Sequence, residues 1–595
     1  MKASLTLCIV SVAALASSSR AQQLLQALNG AAGDRMGAAS LEVGDQNSDG
    51  YVDVLVGAPG FNGGRGAIKC VSGRYLATGN LPSVLWSSAP VVVNAGAAFG
   101  TSITKVGNLT GDSTADFVVG APNYVPPGGF DTRGAIYLVD GATHAVAQYI
   151  EGLPQTHFGQ IVVAVGDQNG DFKSEIAVSA PEVFTSVTPT VHIVPGSAFG
   201  FATQLATISH VSHWVGWPEY GAALASGFDY NGDGKLDLAV GSPMFGFSNP
   251  EAGGVEVYRA DTFAVLGGYY PPVTGEHFGA SIDASADYNG DGVIDLVVGA
   301  PNYSTANGIE DGRVLVLSGA KFVNPQLPGP LELYTLTQGF SSLIFDFHFG
   351  AAVRATRDLT HDGVGDILVG APDYSVLGGG FNVFNKGTVS VFSGATGARV
   401  GLIVGGNTDR LGDGLTGAVQ DFEGDGYEEF VVAGSLSDAG GADGGVIKSY
   451  RIFPCAPSSY CTGKVNSLGC VPAMSSSGTP STTSATPFLV TCSNVLNQVS
   501  GLLMYSHAPG ATPFQGGTLC IGTPLKRTST QNSGGNAGGP DCSGIFSLDF
   551  NARIQSGVDP LLITGSEVFC QYWSRDSASA STTSLSNALR LLINP

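Results

Sequence analysis

Seven times between residues 33 and 453 the chain sets oxygen-bearing side chains at positions 1, 3, 5 and 9 of a nonapeptide, with glycine at position 6 in five of the seven copies. The first copy runs through Asp45, Asn47, Asp49 and Asp53, with Tyr51 at position 7. The fourth uses Asp229, Asn231, Asp233 and Asp237 around Lys235, and the fifth uses Asp287, Asn289, Asp291 and Asp295 around Val293. The sixth has Asp358, Thr360, Asp362 and Asp366 around Val364; the seventh has Asp421, Glu423, Asp425 and Glu429 around Tyr427. The second copy, Asn108, Thr110, Asp112 and Asp116 around Thr114, puts Ser113 where glycine is preferred. The third, Asp167, Asn169, Asp171 and Glu175 around Lys173, puts Phe172 there.

Such a set is what a hard cation requires. Alternate residues of a tight loop turn their oxygens inward, position 7 offers a backbone carbonyl, and glycine permits the sharp bend. The four positions carry 21 carboxylates in all, which repel one another unless a cation lies among them. Ca2+ is the expected cofactor, at up to seven sites with at least four filled. The pattern is complete at Asp45, Asp229 and Asp287, nearly so at Asp358, and weakest at Asn108. Asp, Asn and Gly are also plain turn formers. A single loop would carry no more than that, but seven copies with acids held at odd spacing do.

The elements that must hold these loops follow from their surroundings. The loops start 58 to 71 residues apart, about the chain needed for four strands of ~6 residues with their turns, which is one propeller blade. Each nonapeptide runs into an apolar stretch such as Leu296-Val-Val-Gly-Ala-Pro301, whose continuous character implies a strand covered on both faces. A second apolar strand follows, as in Gly134-Ala-Ile-Tyr-Leu-Val-Asp-Gly141. Each unit opens on a pair: Phe99-Gly100, Phe158-Gly159, Tyr220-Gly221, Phe278-Gly279 and Phe349-Gly350, with Met36-Gly37 and Leu411-Gly412 at the ends.

Together with Gly57-Ala-Pro59, Gly120-Ala-Pro122, Gly299-Ala-Pro301 and Gly370-Ala-Pro372, and the variants Ser179-Ala-Pro181 and Gly241-Ser-Pro243, these pairs resemble the FG-GAP repeat family, best known from integrin α-subunits. The resemblance implies an all-β, seven-bladed β-propeller with each metal loop in the hairpin between the first and second strands. It also implies that the opposite, looped face receives ligands. The aromatics of that face are Tyr124, Phe130, Phe184, Phe245, Phe247, Tyr303, Tyr374, Phe381 and Phe384. The seventh unit ends with its third strand at Phe453, so the apolar segment Gln22 to Asn29 is expected to close the ring as its fourth.

Composition agrees with a turn-rich, well-buried β protein: 86 of 595 residues are glycine, 43% are apolar and only 12% charged. Lys2, an apolar run from Ala3 to Ala16 and the small-x-small pattern Ser19-Arg20-Ala21 imply a signal peptide over residues 1–21, a propeller over 22–453 and a secreted or cell-surface product. The formal charge of −22 becomes −24 without Lys2 and Arg20, and seven Ca2+ would bring it to −10. This balance disfavours nucleic acid or an anionic membrane as partner. No later segment has the length of a membrane span. The expected partner is an extracellular protein or glycan.

Catalysis is the rival class, because FG-GAP-like propellers also accompany phospholipase and lyase domains. The chain has no Gly-x-Ser-x-Gly elbow, His-Glu-x-x-His helix or phosphate-binding glycine loop. His157, His277 and His348 recur at one repeat position, before the pair that opens a unit, which points to structure. The remainder, 454–595, is rich in Ser, Thr, Gly and Pro and holds seven of the nine cysteines, from Cys455 to Cys570. It reads as a small disulfide-containing β-sandwich, with 105 possible pairings among the eight mature cysteines. Cys70 aligns with Leu138, Val316 and Val391, the place of a buried thiol as much as of a bridge. The opening Tyr460-Cys-Thr-Gly-Lys-Val-Asn-Ser-Leu-Gly-Cys470 resembles a C-terminal module of varied secreted bacterial proteins, which implies a role in export, surface attachment or assembly.

Overall fold

The computed structural model describes residues 21–593 except 92, 182–188, 200–205, 209–218, 247–248, 305–310, 339–346, 361–362, 378–382, 422–427, 454–456, 483, 485 and 563–565. The expected signal peptide therefore lies outside the described residues up to Arg20. The chain divides into two compact units, Leu24–Ile452 and one that holds Phe453–Pro595.

Among the described residues the first unit holds seven four-stranded sheets and a two-stranded one, Ser375–Leu377 with Val383–Asn385. In the first, Ser40–Gly44, Asp53–Ala58, Ala67–Val71 and Val84–Ser88 pair antiparallel in chain order, and the next five repeat that order. The seventh contains Gly414–Gln420, Glu429–Gly434 and Val446–Phe453, and its fourth strand is Ala21–Asn29 from the other end of the chain. The innermost strand of each sheet packs on that of the next, and Gly414–Gln420 packs on Ser40–Gly44, so the sheets close into a ring of seven blades. The N-terminal strand is tied across the seam. Ser449 Oγ accepts from the Gln26 N–H at 3.2 Å, and the Tyr75 hydroxyl of blade one donates to the Ala27 carbonyl at 3.1 Å.

The second strand of each blade is continuously apolar because its two faces look at different neighbours. Leu55 packs with Phe99, Phe117 and Tyr137 of blade two, whereas Val54 and Val56 pack with Val431, Ala433 and Ile447 of blade seven. Leu296 and Val298 likewise face Val255 and Val257 of blade four, and Val297 faces Ile367 and Val369 of blade six. Among the described residues the core of this unit is seven such layers, one between each pair of blades. Cys70 is one packing atom in the first layer, a free thiol with no exposed surface, and burial pushes its pKa far up.

The opening pair and the Gly-Ala-Pro segment explain how blades come this close. In all seven units the glycine N–H of the pair donates to the carbonyl at the first Gly-Ala-Pro position of the same blade, at 2.8–3.0 Å; Gly100 to Gly120 is typical. These pair glycines take φ from +82° to +113°, a region that excludes most side chains. A Cβ on Gly57 would lie 1.9 Å from the Gly100 carbonyl oxygen of the next blade, and one on Gly299 would lie 2.0 Å from that of Gly350. The aromatic before each glycine is buried, at 0–2% exposure, and Met36 and Leu411 fill the same place at 1% and 0%. That position asks for apolar bulk rather than for a ring.

The second unit is a sandwich. Its larger sheet orders Ser458–Tyr460, Thr583–Leu592, Glu567–Arg575, Ser500–Ser506 and Lys526–Arg527, with Gln531–Asn532 also on Ser500–Ser506; the smaller orders Ala473–Ser477, Leu489–Val495 and Gly544–Asp549. Phe488, Val490, Phe546, Tyr505, Tyr572 and Leu589 from both sheets form its core. The bridges are Cys461–Cys520 and Cys470–Cys542; Cys492 and Cys570 are buried free thiols, and Cys455 lies outside the described residues. No helix among the described residues is long and apolar enough to cross a membrane.

The glycine contact between blades yields a direct check. Gly299→Ala forces a Cβ against backbone of blade six and is expected to cost about 1–3 kcal/mol, the range of core overpacking, read as a lower urea midpoint with an unchanged slope.

Candidate metal centres

Each nonapeptide with a described course forms the hairpin between the first and second strands of its blade, so the loops share one face of the ring. Position 9 opens or immediately precedes the second strand and is buried: Asp53, Asp116, Glu175, Asp237, Asp295, Asp366 and Glu429 are all 0–1% exposed. Its carboxylate is spanned by backbone donors. Asp295 accepts from the Tyr288 N–H of its own loop at 2.8 Å and from the Gly319 N–H after the third strand at 2.9 Å. Asp53 does the same with Gln46 and Gly73, and Asp116 with Leu109 and Gly141.

Positions 1 and 5 curl the rest of the loop. Asp45, Asp167, Asp229, Asp287 and Asp358 accept from the N–H at position 6 at 2.7–2.8 Å. Asp49, Asp112, Asp171, Asp233 and Asp291 accept from the N–H at position 7 at 2.8–3.0 Å, the residues there being Tyr51, Thr114, Lys173, Lys235 and Val293. At position 3 the amides of Asn169, Asn231 and Asn289 and the hydroxyls of Thr110 and Thr360 donate to the position-9 carboxylate. The Asn47 amide donates instead to Asp49 at 3.1 Å. Position 6 has positive φ whatever stands there: +88° at Gly50 and +84° at Gly292, but also +83° at Ser113 and +63° at Phe172. The second and third loops therefore keep the common shape, at a backbone cost of roughly 1–2 kcal/mol for a residue with a Cβ. Asp362, Glu423, Asp425 and Tyr427 lie outside the described residues; Val364, Asp366, Asp421 and Glu429 lie within them.

The acids are charged in a way a cation would relieve. Burial, reinforced by the neighbouring loop carboxylates, pushes Asp237 and Asp295 up to about 6, and Asp53 and Glu175 are raised by the same cause. In blade two the ligand atoms of Asp112, Asp116 and Asp140 come within 4.8 Å of one another. Asp140 was missed by sequence reasoning because it stands 24 residues beyond position 9, just after the third strand, where blades one, five and six carry Ser72, Ser318 and Ser393. The only available signal was the alignment of Val139-Asp140-Gly141 with Val71-Ser72-Gly73. The loop poorest in its own acids thus gains a carboxylate from the next hairpin.

The opposite face holds the loops after the Gly-Ala-Pro segments. There Tyr124 and Phe245 are buried, Tyr303 lies under the Arg313 guanidinium at 4.3 Å, and Tyr374 packs on Phe347 at 5.1 Å. Of the aromatics expected to present a surface these four pack into their own blades, while Phe130 is 99% exposed. Phe184, Phe247 and Phe381, and the side chain of Phe384, lie outside the described residues. His157, His277 and His348 have φ of +50°, +55° and +51°, and Arg35, Ala98, Glu219 and Arg410 share that conformation at the equivalent place. The position serves the turn into the blade.

Seven sheets in a ring, tied by the glycine contacts and carrying one loop type on one face, define an integrin-like propeller, and the chain carries FG-GAP repeats. The FG-GAP repeat model matches residues 220–258 and 278–317. Over 169 residues the chain is 33% identical to integrin alpha-4 of Xenopus laevis, covering 28% of this chain and 15% of that protein. Over 280 residues it is 24% identical to integrin alpha-5 of Xenopus laevis, covering 45% and 26%. Phosphatidylinositol-glycan-specific phospholipase D of Rattus norvegicus is 31% identical over 177 residues, covering 29% of this chain and 20% of that protein. The chain thus spans about a quarter or less of the length of these relatives.

Loop chemistry and fold separate at the side chains. Asp295→Ala leaves two buried N–H groups without an acceptor and is expected to cost about 2–4 kcal/mol even in EDTA. Asp291→Ala, at an exposed position, is expected to cost less than about 1 kcal/mol in EDTA. Chemical denaturation of both variants in chelator checks the difference.

Proposed function

We propose that this chain is a secreted or cell-surface calcium-binding propeller that acts as an adhesion or ligand-binding module. Ca2+ braces the blade hairpins, and the opposite loops bind an extracellular protein or glycan. The observation that carries the reading is the hairpin loop itself, repeated on one face with oxygen ligands at the same positions and a buried acid at position 9. Oxygen-only donors, a loop that bends at position 6 and a backbone carbonyl at position 7 fit Ca2+ better than a nitrogen- or sulfur-seeking metal. When bound, the ion supplies the positive charge that lets the carboxylates of one loop converge. The chain's own residues do the rest: position 1 folds the loop over, position 9 pins it to the third strand, and the rigid ring holds the far loops in place.

The integrin relatives support recognition over chemistry, and the three recurrent histidines serve turns. A second reading follows from the phospholipase relative: the propeller as a non-catalytic accessory domain of an extracellular hydrolase or lyase, or the chain itself as such an enzyme.

Calorimetry of the mature chain is expected to show at least four equivalents of Ca2+. Each filled cage should add about 2.7 kcal/mol at a free ion level 100 times its Kd, so thermal unfolding in EDTA should fall well below that in calcium. A chain with no calcium uptake and no EDTA effect would leave the loops as turns only.

A further inference from the structure

The antiparallel register sets one residue, at or just past the end of the third strand, directly across from position 9. In blades four and seven the pairing is Asp237 with Arg259 and Glu429 with Arg451. Continuing the same pairing by one step in the other blades puts Ser72, Asp140, Pro195, Ser318 and Ser393 there. Five blades therefore face their buried carboxylate with a neutral or acidic residue, and two face it with a guanidinium.

Both guanidinium groups are used. Arg259 Nη2 lies 2.7 Å from Asp233 Oδ2, the position-5 carboxylate of the fourth loop. It is held there by Asp261, which accepts from Nε and Nη2 at 3.1 Å each. Lys235 of the same loop turns away, donating to the Gln168 carbonyl at 2.7 Å and pairing with Asp261 at 3.3 Å. Arg451 Nε donates to Glu429 Oε1 at 2.6 Å, and the two side chains are 4% and 0% exposed. A planar, permanently charged fork fixed by carboxylates is difficult to displace, and a divalent ion beside it meets like charge.

We propose that Arg259 and Arg451 are the resident cations of blades four and seven, and that calcium fills only cages whose opposing residue is serine, aspartate or proline. This inference rests on the calcium reading above and sharpens it. The fourth loop, which matches the cation pattern completely in sequence, is then one the ion leaves alone, and five cages remain for it.

The test is calcium titration calorimetry of the full mature chain, with thermal unfolding in calcium and in EDTA, for the wild type and three variants. Asp287→Asn should remove one tight equivalent, Asp229→Asn should remove none, and Arg259→Ser should add one and enlarge the EDTA-induced drop in Tm. Loss of an equivalent in Asp229→Asn as well as in Asp287→Asn would overturn the role of Arg259 while leaving calcium binding intact. Absence of calcium uptake by the wild type would overturn both readings. If Arg259→Ser does not fold, the Asp229 and Asp287 pair decides alone.

Discussion

The ring depends on backbone meeting backbone between neighbouring sheets. A pair glycine at positive φ ties its own second strand, and the glycine of the preceding blade's Gly-Ala-Pro segment lets that carbonyl approach to where a Cβ would stand. The exceptions show how the contact is tuned. Ser179 and Ala433 carry a Cβ at that place, and a Cβ on Gly221 or Gly37 of the next blade would lie 3.1 or 2.6 Å from it. With sheets so close, every second strand is enclosed on both sides, and the residues Leu55, Val54 and Val56 divide between two layers. Closure by Ala21–Asn29 then leaves the last blade with four strands like the rest.

This stacking determines where the acids go. A second strand that is buried on both faces begins at the carboxylate of position 9, so that carboxylate is buried too and must be satisfied by N–H groups of two hairpins. The result is a loop whose curl is fixed by hydrogen bonds and whose remaining acids crowd at the surface. On the proposed reading, cation binding and blade architecture share one residue, so the same loop recurs wherever a blade recurs. The residue across the ladder sets the local charge, and it varies from Asp140 to Arg259.

Much of this was legible in the chain. The Phe-Gly pairs, the Gly-Ala-Pro segments and the apolar runs gave blade number and strand order, and the orphan segment before Asn29 matched the missing fourth strand. What a nine-residue window could not show were Asp140, Arg259 and Arg451, which stand 22 to 24 residues beyond position 9 and reach the loops only through strand register. Aromatic loops looked like a binding surface, yet Tyr124 and Phe245 found apolar partners in their own blades, because a ring buried against its scaffold gains more than one left in water. Cysteine pairing is a three-dimensional property, and the bridges Cys461–Cys520 and Cys470–Cys542 could not be selected by spacing alone.

The central claim is that the seven-fold loop is a cation cage shaped by its blade. A crystal structure of the mature chain grown in calcium tests it most directly. The account predicts an ion in blades one, five and six, about 2.3–2.6 Å from oxygens at positions 1, 3, 5, 7 and 9. Loops that stay as hydrogen-bonded turns, with water at those places in saturating calcium, would contradict it.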